Sequence, residues 1–257
     1  MIELIPVESL DEIQVQREYY INELPYSQEL HVEENVWESQ YYKIKMNAAW
    51  VGYICVDLEK TLWEFYLVKG ALIYAQEIFK YLIDMNYIVA AECKSYDHLL
   101  MSLCFDFHKK AACSAYMFRD DTDVKYSLST FENIRIRLAT KEDFNNLREI
   151  GDDFFYNLED HITKEEVFIF YSNNELLGAG TCKKIWDGMN YYDIGMVVAK
   201  AHRNKGIGAF IITKLKEHCY NNNQIPICAC WYYNHASKKA LEKAGFIAKH
   251  RLIRFDF

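Results

Sequence analysis

Proline is scarce, with three residues in 257, and no stretch of the chain is low in complexity. Half the residues are hydrophobic (51%) and 16% are aromatic. That composition argues against a disordered chain and supplies a sizeable core. No apolar run approaches the ~18 residues that a membrane-crossing helix needs, and no secretory signal pattern is recognisable. We therefore expect a cytoplasmic protein without membrane contact. Paired cysteines are missing too. Eight occur, but none forms a CxxC pair, and Cys228 and Cys230 alternate with Ala229 inside an apolar run. Structural zinc shows tighter paired spacing, so these read as reduced, buried thiols, and no metal is expected. Excess positive charge is also absent: the formal net charge is −8. That excludes broad nucleic-acid binding, which rests on neutralising phosphates, and suits a cationic acceptor such as an amine.

What is present is a pattern written twice. In the second half, "ENIRIRLATKEDFNNLREI" reads as a strand over about 133–138 and a helix capped near Thr140. "EEVFIFYSNNELLGAGTCKKI" reads as a hairpin turning at Ser172-Asn173-Asn174-Glu175. A buried strand "YYDIGMVV", a helix "AFIITKLKEHCYNNN", a strand "IPICACWYY", a short helix "HASKKALEKAGF" and a last strand "KHRLIRFDF" follow. The first half repeats the order: "MIELIP", a helix from near Ser9, the hairpin "YYKIKMNAAWVGYICV", then strand, helix, strand, helix and strand to "KKAACSAYMF". Gly52 and Gly178 of the hairpins lie 126 residues apart, whereas Ile88 and Ile227, Phe107 and Phe246, and Phe118 and Phe257 each lie 139 apart. The second copy has thus gained 13 residues between these points. This predicts two α/β (α+β) domains, 1–128 and 132–257, joined through "KYSLSTFEN".

The gain contains "HRNKGIGA", residues 202–209. A strand ending at Val198, two glycines and a helix from about Gly208 make an anion site: glycine lets backbone N–H groups turn to a ligand, and the helix start adds positive charge. Arg203 and Lys205 add to it. A Walker A loop and a G-x-G-x-x-G dinucleotide loop are both absent. The first copy passes from "FYLV" to "ALIYAQ" with a single Gly70, which cannot form such a cradle.

"IGMVVAKAHRNKGIGAFIITKL" is similar to motif A of the GNAT N-acetyltransferases, and "NHASKKALEKAGF" resembles their motif B, in the order that superfamily requires. The resemblance covers essentially all of 132–257; the first half resembles the fold by element order alone, as a degenerate copy in a tandem member. It implies two GNAT-like domains, each a mixed, mostly antiparallel twisted sheet flanked by helices. It further implies that Met196, Val197 and Val198 offer backbone groups to the acetyl carbonyl and pantetheine arm of acetyl-CoA. Arg203, Asn204, Lys205, Gly206, Ile207, Gly208 and Ala209 would hold the pyrophosphate. Asn234 would contact pantetheine with Ser237 nearby, although an asparagine there is also a favoured helix cap.

Acyl transfer to an amine needs a base, an oxyanion donor and a proton for the thiolate. The main-chain N–H of Val197 or Val198 suits the oxyanion. Asp193 is the first candidate base, working through water, with a solvated strand residue as its plain alternative. Many relatives supply the acid from a tyrosine seven residues after the motif B asparagine, where this chain has Leu241. Tyr233 is the substitute we select, with Tyr232 and His235 behind it; the thiolate leaving unassisted is the other solution. The isolated His161 and the run "EDHITKEE" read as solvated surface. The expectation is acetyl transfer from acetyl-CoA to a primary amine on a small molecule or peptide, by direct attack in a ternary complex, in a monomer or homodimer. The first copy is expected to wall the acceptor site. The competitors are a CoA-binding regulatory module without turnover and a transferase for longer acyl groups.

Overall fold

The computed structural model describes residues 1–120, 133–151, 154–173 and 175–257. Most of the expected linker, residues 125–132, lies outside them, as does Asn174 of the second hairpin turn. The described residues form twelve strands and eight α-helices, in two compact units: Met1–Ala115 with His250–Phe257, and Tyr116–Lys249. The expected division at 128/132 follows chain order; the observed units instead place the chain's last residues with the first half, because the final strand pairs there.

In the first unit the sheet order is β1 (Ile2–Val7), β2 (Gln40–Met46), β3 (Ala49–Val56), β4 (Thr61–Leu67), β5 (Ala90–Lys94) and the C-terminal strand, Ile247–Asp256. The pairs are antiparallel except β4–β5. The β2–β3 hairpin turns on Asn47 and Ala48, both at positive φ, the geometry a two-residue hairpin needs. Helices α1 (Gln14–Glu23) and α2 (Leu30–Trp37) precede the hairpin, where the sequence pattern predicts a single helix. Helix α3 (Ala75–Asp84) buries Ile78, Phe79 and Leu82 against Phe65 and Leu67 of β4, and α4 (His98–Phe107) adds Leu100, Leu103 and Cys104. Strand β6 (Lys110–Arg119) leads out of this unit.

The second unit repeats the plan. Strand β7 (Ile134–Leu138) is followed by a capping box at Thr140, whose backbone N–H donates to Asp143, and by α5 (Phe144–Gly151) and α6 (Leu158–Thr163). Strands β8 (Val167–Ser172), β9 (Glu175–Lys184) and β10 (Tyr191–Val198) run antiparallel, each paired to the next. Helix α7 (Ile207–Asn221) then crosses the sheet and returns the chain to β11 (Ile225–Trp231), parallel to β10. Helix α8 (His235–Lys243) precedes β12, the strand Ile247–Asp256. Apolar residues four apart on α7, Ile207, Ile211, Leu215 and Cys219, form one row facing Ile194 of β10 and Leu241 of α8. The other face of this sheet packs Leu147, Phe155 and Leu158 against Ile169 and Ala179, with Val197 at its edge. All eight cysteines are free thiols, six of them buried.

Candidate active site

Strands β10 and β11 pair at three positions only, Tyr191↔Ile225, Tyr192↔Pro226 and Asp193↔Ile227. Strand β10 runs on to Val198 and β11 to Trp231, so the two part after Asp193. On its other side β10 stays paired with β9 through Val198↔Gly178. Close approach fixes that side: a Cβ at Gly178 would lie 2.4 Å from the Val197 carbonyl oxygen. The backbone N–H of Ala199 donates to Leu177, so alternation turns Val197 toward β9 and Met196 and Val198 toward the opening. The Val198 carbonyl accepts from Arg203 Nε at 3.1 Å, which ties the loop to the mouth of the split.

The loop itself is a turn at Lys200–His202, then Arg203 in extended backbone, then Asn204 (φ 62°) and Gly206 (φ 85°), both left-handed. Asparagine tolerates that region and glycine enters it without steric cost. Among the described residues, none accepts from the N–H of Asn204, Lys205 or Gly206. The first N–H groups of α7, at Ile207, Gly208 and Ala209, have no intrahelical acceptor by geometry. Six consecutive backbone donors thus follow the split, with Lys205 exposed beside them. Ile207 and Ala209 are buried and anchor the helix start; a Cβ on Gly208 would sit in ordinary contact with Ala240, Met196 and Val198. This arrangement fits a pyrophosphate carried on an elongated, backbone-bonding arm.

Asn234 caps α8, its Oδ1 accepting from the N–H of Ser237 at 3.1 Å, and its side chain is otherwise exposed. Ser237 also touches Cys230, whose thiol burial pushes up to about 11 against that hydrogen bond. Tyr233 is 80% exposed where β11 ends, its ring edge-on to Tyr232 at 5.4 Å. Leu241 is 2% exposed in the α7–α8 core, and its apolar side chain offers no proton. Asp193 stands where the strands separate, on the face it shares with Gly195 and Val197. That face is covered from α5 and the residues after it: a Cβ on Gly195 would meet the Phe154 ring at 3.0 Å, and one on Gly151 would meet Val197 at 3.0 Å. Phe154 was not among the expected site residues; nothing in the sequence tells that a ring after α5 rests on a glycine of β10.

The first unit has the same split without the loop. Strands β4 and β5 pair only at Thr61↔Ala90 and Leu62↔Ala91. The chain then goes through a tight helical turn, Lys69–Tyr74, straight into α3, and no residue from Thr61 to Met85 has positive φ. Below the split, Glu64 is wholly buried. It accepts from Arg17 Nε and Nη2 (2.9 and 2.8 Å), Gln28 (3.0 Å) and Tyr53 (3.0 Å). Lys94, also buried, donates to Gln28 at 3.0 Å. Burial alone would raise the Glu64 carboxyl, but Arg17 and Lys94 outweigh it and hold it below the usual range. Burial raises Glu33, which Arg17 contacts at 2.7 Å, despite that contact.

A mixed sheet whose parallel pair opens beside a run of backbone donors is the frame of this site, and the class to which it belongs is the acyltransferases. Residues 9–121 match an acetyltransferase (GNAT) domain, and residues 134–246 match the acetyltransferase (GNAT) family. The chain belongs to the GNAT acetyltransferases, as a tandem of two such domains. Among solved structures, a GNAT-family acetyltransferase from Colwellia psychrerythraea superposes with a TM-score of 0.89 at 22% identity, covering 99% of both chains. A tandem GNAT protein from the clavulanic acid biosynthesis pathway gives 0.62 at 10% identity, over 99% of this chain and 98% of that one. A GCN5-related N-acetyltransferase from Sphaerobacter thermophilus gives 0.63 at 10%, over 99% and 95%. At these identities the likeness shows the fold. No curated protein matches the sequence. Among the described residues, no helix is long and apolar enough to cross a membrane.

Proposed function

We propose that the second unit binds acetyl-CoA and transfers its acetyl group to a primary amine by direct attack in a ternary complex. The observation that carries this is the parting of β10 from β11 after Asp193, next to the six donors from Asn204 to Ala209. Acetyl-CoA, when bound, supplies an activated thioester. Backbone N–H groups of the loop and of the α7 start hold its pyrophosphate, with Arg203 and Lys205 adding charge. Met196 and Val198 present main-chain groups to the pantetheine arm and acetyl carbonyl. Alternation favours Val198 over Val197 as the oxyanion donor, because Val197 is turned to β9. Asp193 takes the ammonium proton through water at the floor of the split. Tyr233 is the acid available at the β11 end, and a thiolate also leaves without one.

A second reading, CoA binding without turnover, is favoured by one observation: Leu241 is sealed in the core and offers no acid. Calorimetry with acetyl-CoA, followed by thiol release over a broad amine panel, separates the two. Binding with release supports the transferase, and binding without release supports the module. Absence of binding overturns both. Gly206→Asp places a carboxylate and a strained φ in the loop, and we expect it to weaken CoA binding at least 100-fold while the fold remains.

A further inference from the structure

Within the run "EDHITKEE", Glu159, Asp160, Thr163, Lys164 and Glu165 are exposed as expected, but His161 and Glu166 are not. Glu165 takes a left-handed turn (φ 58°) after α6, and this brings Glu166 back under His161. The Glu166 carboxylate lies 2.7 Å from His161 Nδ1, and His161 Nε2 lies 2.9 Å from Lys183 Nζ. Glu166 is fixed in turn by its carbonyl, which accepts from the N–H of Cys182 on β9. Both side chains are largely withdrawn from solvent, at 13% and 21% exposure. The chemistry sets the order of the chain. A carboxylate can only accept, so Nδ1 carries the proton, and Nε2 presents its lone pair to the Lys183 ammonium.

Lys183 on β9 is the cross-strand partner of Asp193 on β10, so their side chains share one face of the sheet. Directly opposed residues of an antiparallel pair hold their Cβ atoms about 4.5–5.5 Å apart. Asp193 is also the last residue at which β10 pairs with β11. The row Glu166–His161–Lys183 therefore leads across α6 and β9 to the vertex of the split.

We propose that Lys183, aimed by His161 and Glu166, is a positioning residue for Asp193, holding its carboxylate ionised and turned to the vertex of the split. This rests on Asp193 acting as the base of the acyl transfer. The other charged or titratable groups on these elements are Glu159 and Asp160 of α6, the latter paired with Lys164 at 2.8 Å, Glu175, Lys184 and the reverse-face Cys182 thiol of β9, and Tyr191 and Tyr192 of β10, while α5 brings Arg148 and Glu149. The strand on the other side brings Ile227, which is apolar. Lys183 is the residue directly opposed to Asp193 across β9 and β10.

The test is a titration of the Asp193 side-chain carboxyl by carbon-13 NMR, without substrate, beside the pH profile of kcat/KM from thiol release. Lys183→Met removes the charge and keeps the stem, Lys183→Arg restores the charge, and His161→Phe removes the acceptor that aims it. An opposite charge within about 4–6 Å lowers a carboxylate by one or more pH units. Lys183→Met should therefore raise the Asp193 midpoint by about one unit and move the acid limb of the profile with it. Lys183→Arg should return both, and His161→Phe should give a smaller rise. An Asp193 midpoint unmoved in both Lys183→Met and His161→Phe overturns the proposal. A wild-type protein that binds acetyl-CoA but releases no thiol overturns the acyl-transfer reading instead, and the NMR midpoint still reports whether Lys183 acts on Asp193.

Discussion

Asp143 shows how one side chain can serve a local structure and a pH response together. It accepts from the N–H and hydroxyl of Thr140, at 2.8 and 2.9 Å, and from both terminal nitrogens of Arg137, at 2.7 and 2.8 Å. The Arg137 contacts come first and, with the Thr140 donors, bring its carboxyl down to about 2. A carboxyl depressed in the folded state stabilises it fully above the ordinary value near 3.8, and that contribution is lost as the pH falls toward 2. The shift corresponds to at most ~2.4 kcal/mol, and to about 1–2 kcal/mol once the half-exposed Arg137 is discounted. Asp143→Ala should therefore lower the unfolding free energy by about 1–2 kcal/mol at pH 7. Paired urea titrations of wild type and variant should converge as the pH approaches 2; a gap that stays constant with pH would mean that the carboxylate charge does not matter here. Thr140 as a cap was legible in the sequence, because Thr-x-x-Asp is a capping pattern. The Arg137 clamp was not, since it depends on which face of β7 the arginine occupies.

Helix α8 carries a question of the same kind, because its N-cap residue has two possible employments. Asn234 donates nothing to the chain through its amide but accepts from Ser237 N–H, which is what an N-cap does. Serine is an equally good cap and lacks the amide. Asn234→Ser should leave stability within a few tenths of a kcal/mol, whereas Asn234→Ala should lose about 1 kcal/mol. If the amide also holds pantetheine, Asn234→Ser should still weaken CoA binding several-fold by calorimetry. An unchanged affinity would leave capping as its whole role. The elements themselves were readable from periodicity: Ile207, Ile211, Leu215 and Cys219 stand four apart. What periodicity could not show is where a strand pair stops. The parting of β10 and β11 is a property of register, and both strands look equally apolar along their lengths. Helix α2 is not legible in the sequence because Glu33, which it carries, is buried by an ion pair and breaks the apolar stripe.

On the scale of the whole chain, the two copies have kept the same split and filled it differently. In the first unit the split lies over Arg17, Glu64, Glu33, Gln28 and Lys94, all at most 2% exposed. The repeat was legible from element order, but this cluster was not, because its members come from four separated segments. Removing the cation strands two buried carboxylates, so Arg17→Met should cost about 3–5 kcal/mol. Urea unfolding followed by tryptophan fluorescence reads this through Trp63 on β4; a loss under ~1 kcal/mol would mean that Lys94 alone suffices for Glu64. The same comparison fixes the expected ligand count. A split by itself gives a pantetheine arm a place to lie, but the pyrophosphate needs donors, and Lys69–Tyr74 closes directly onto α3 with no left-handed residue to turn N–H groups outward. Calorimetry should therefore return one acetyl-CoA per chain, and Gly206→Asp should weaken that single event at least 100-fold. A stoichiometry of two, or one equivalent binding Gly206→Asp at undiminished affinity, would mean that the first unit recognises the nucleotide by contacts other than a phosphate loop.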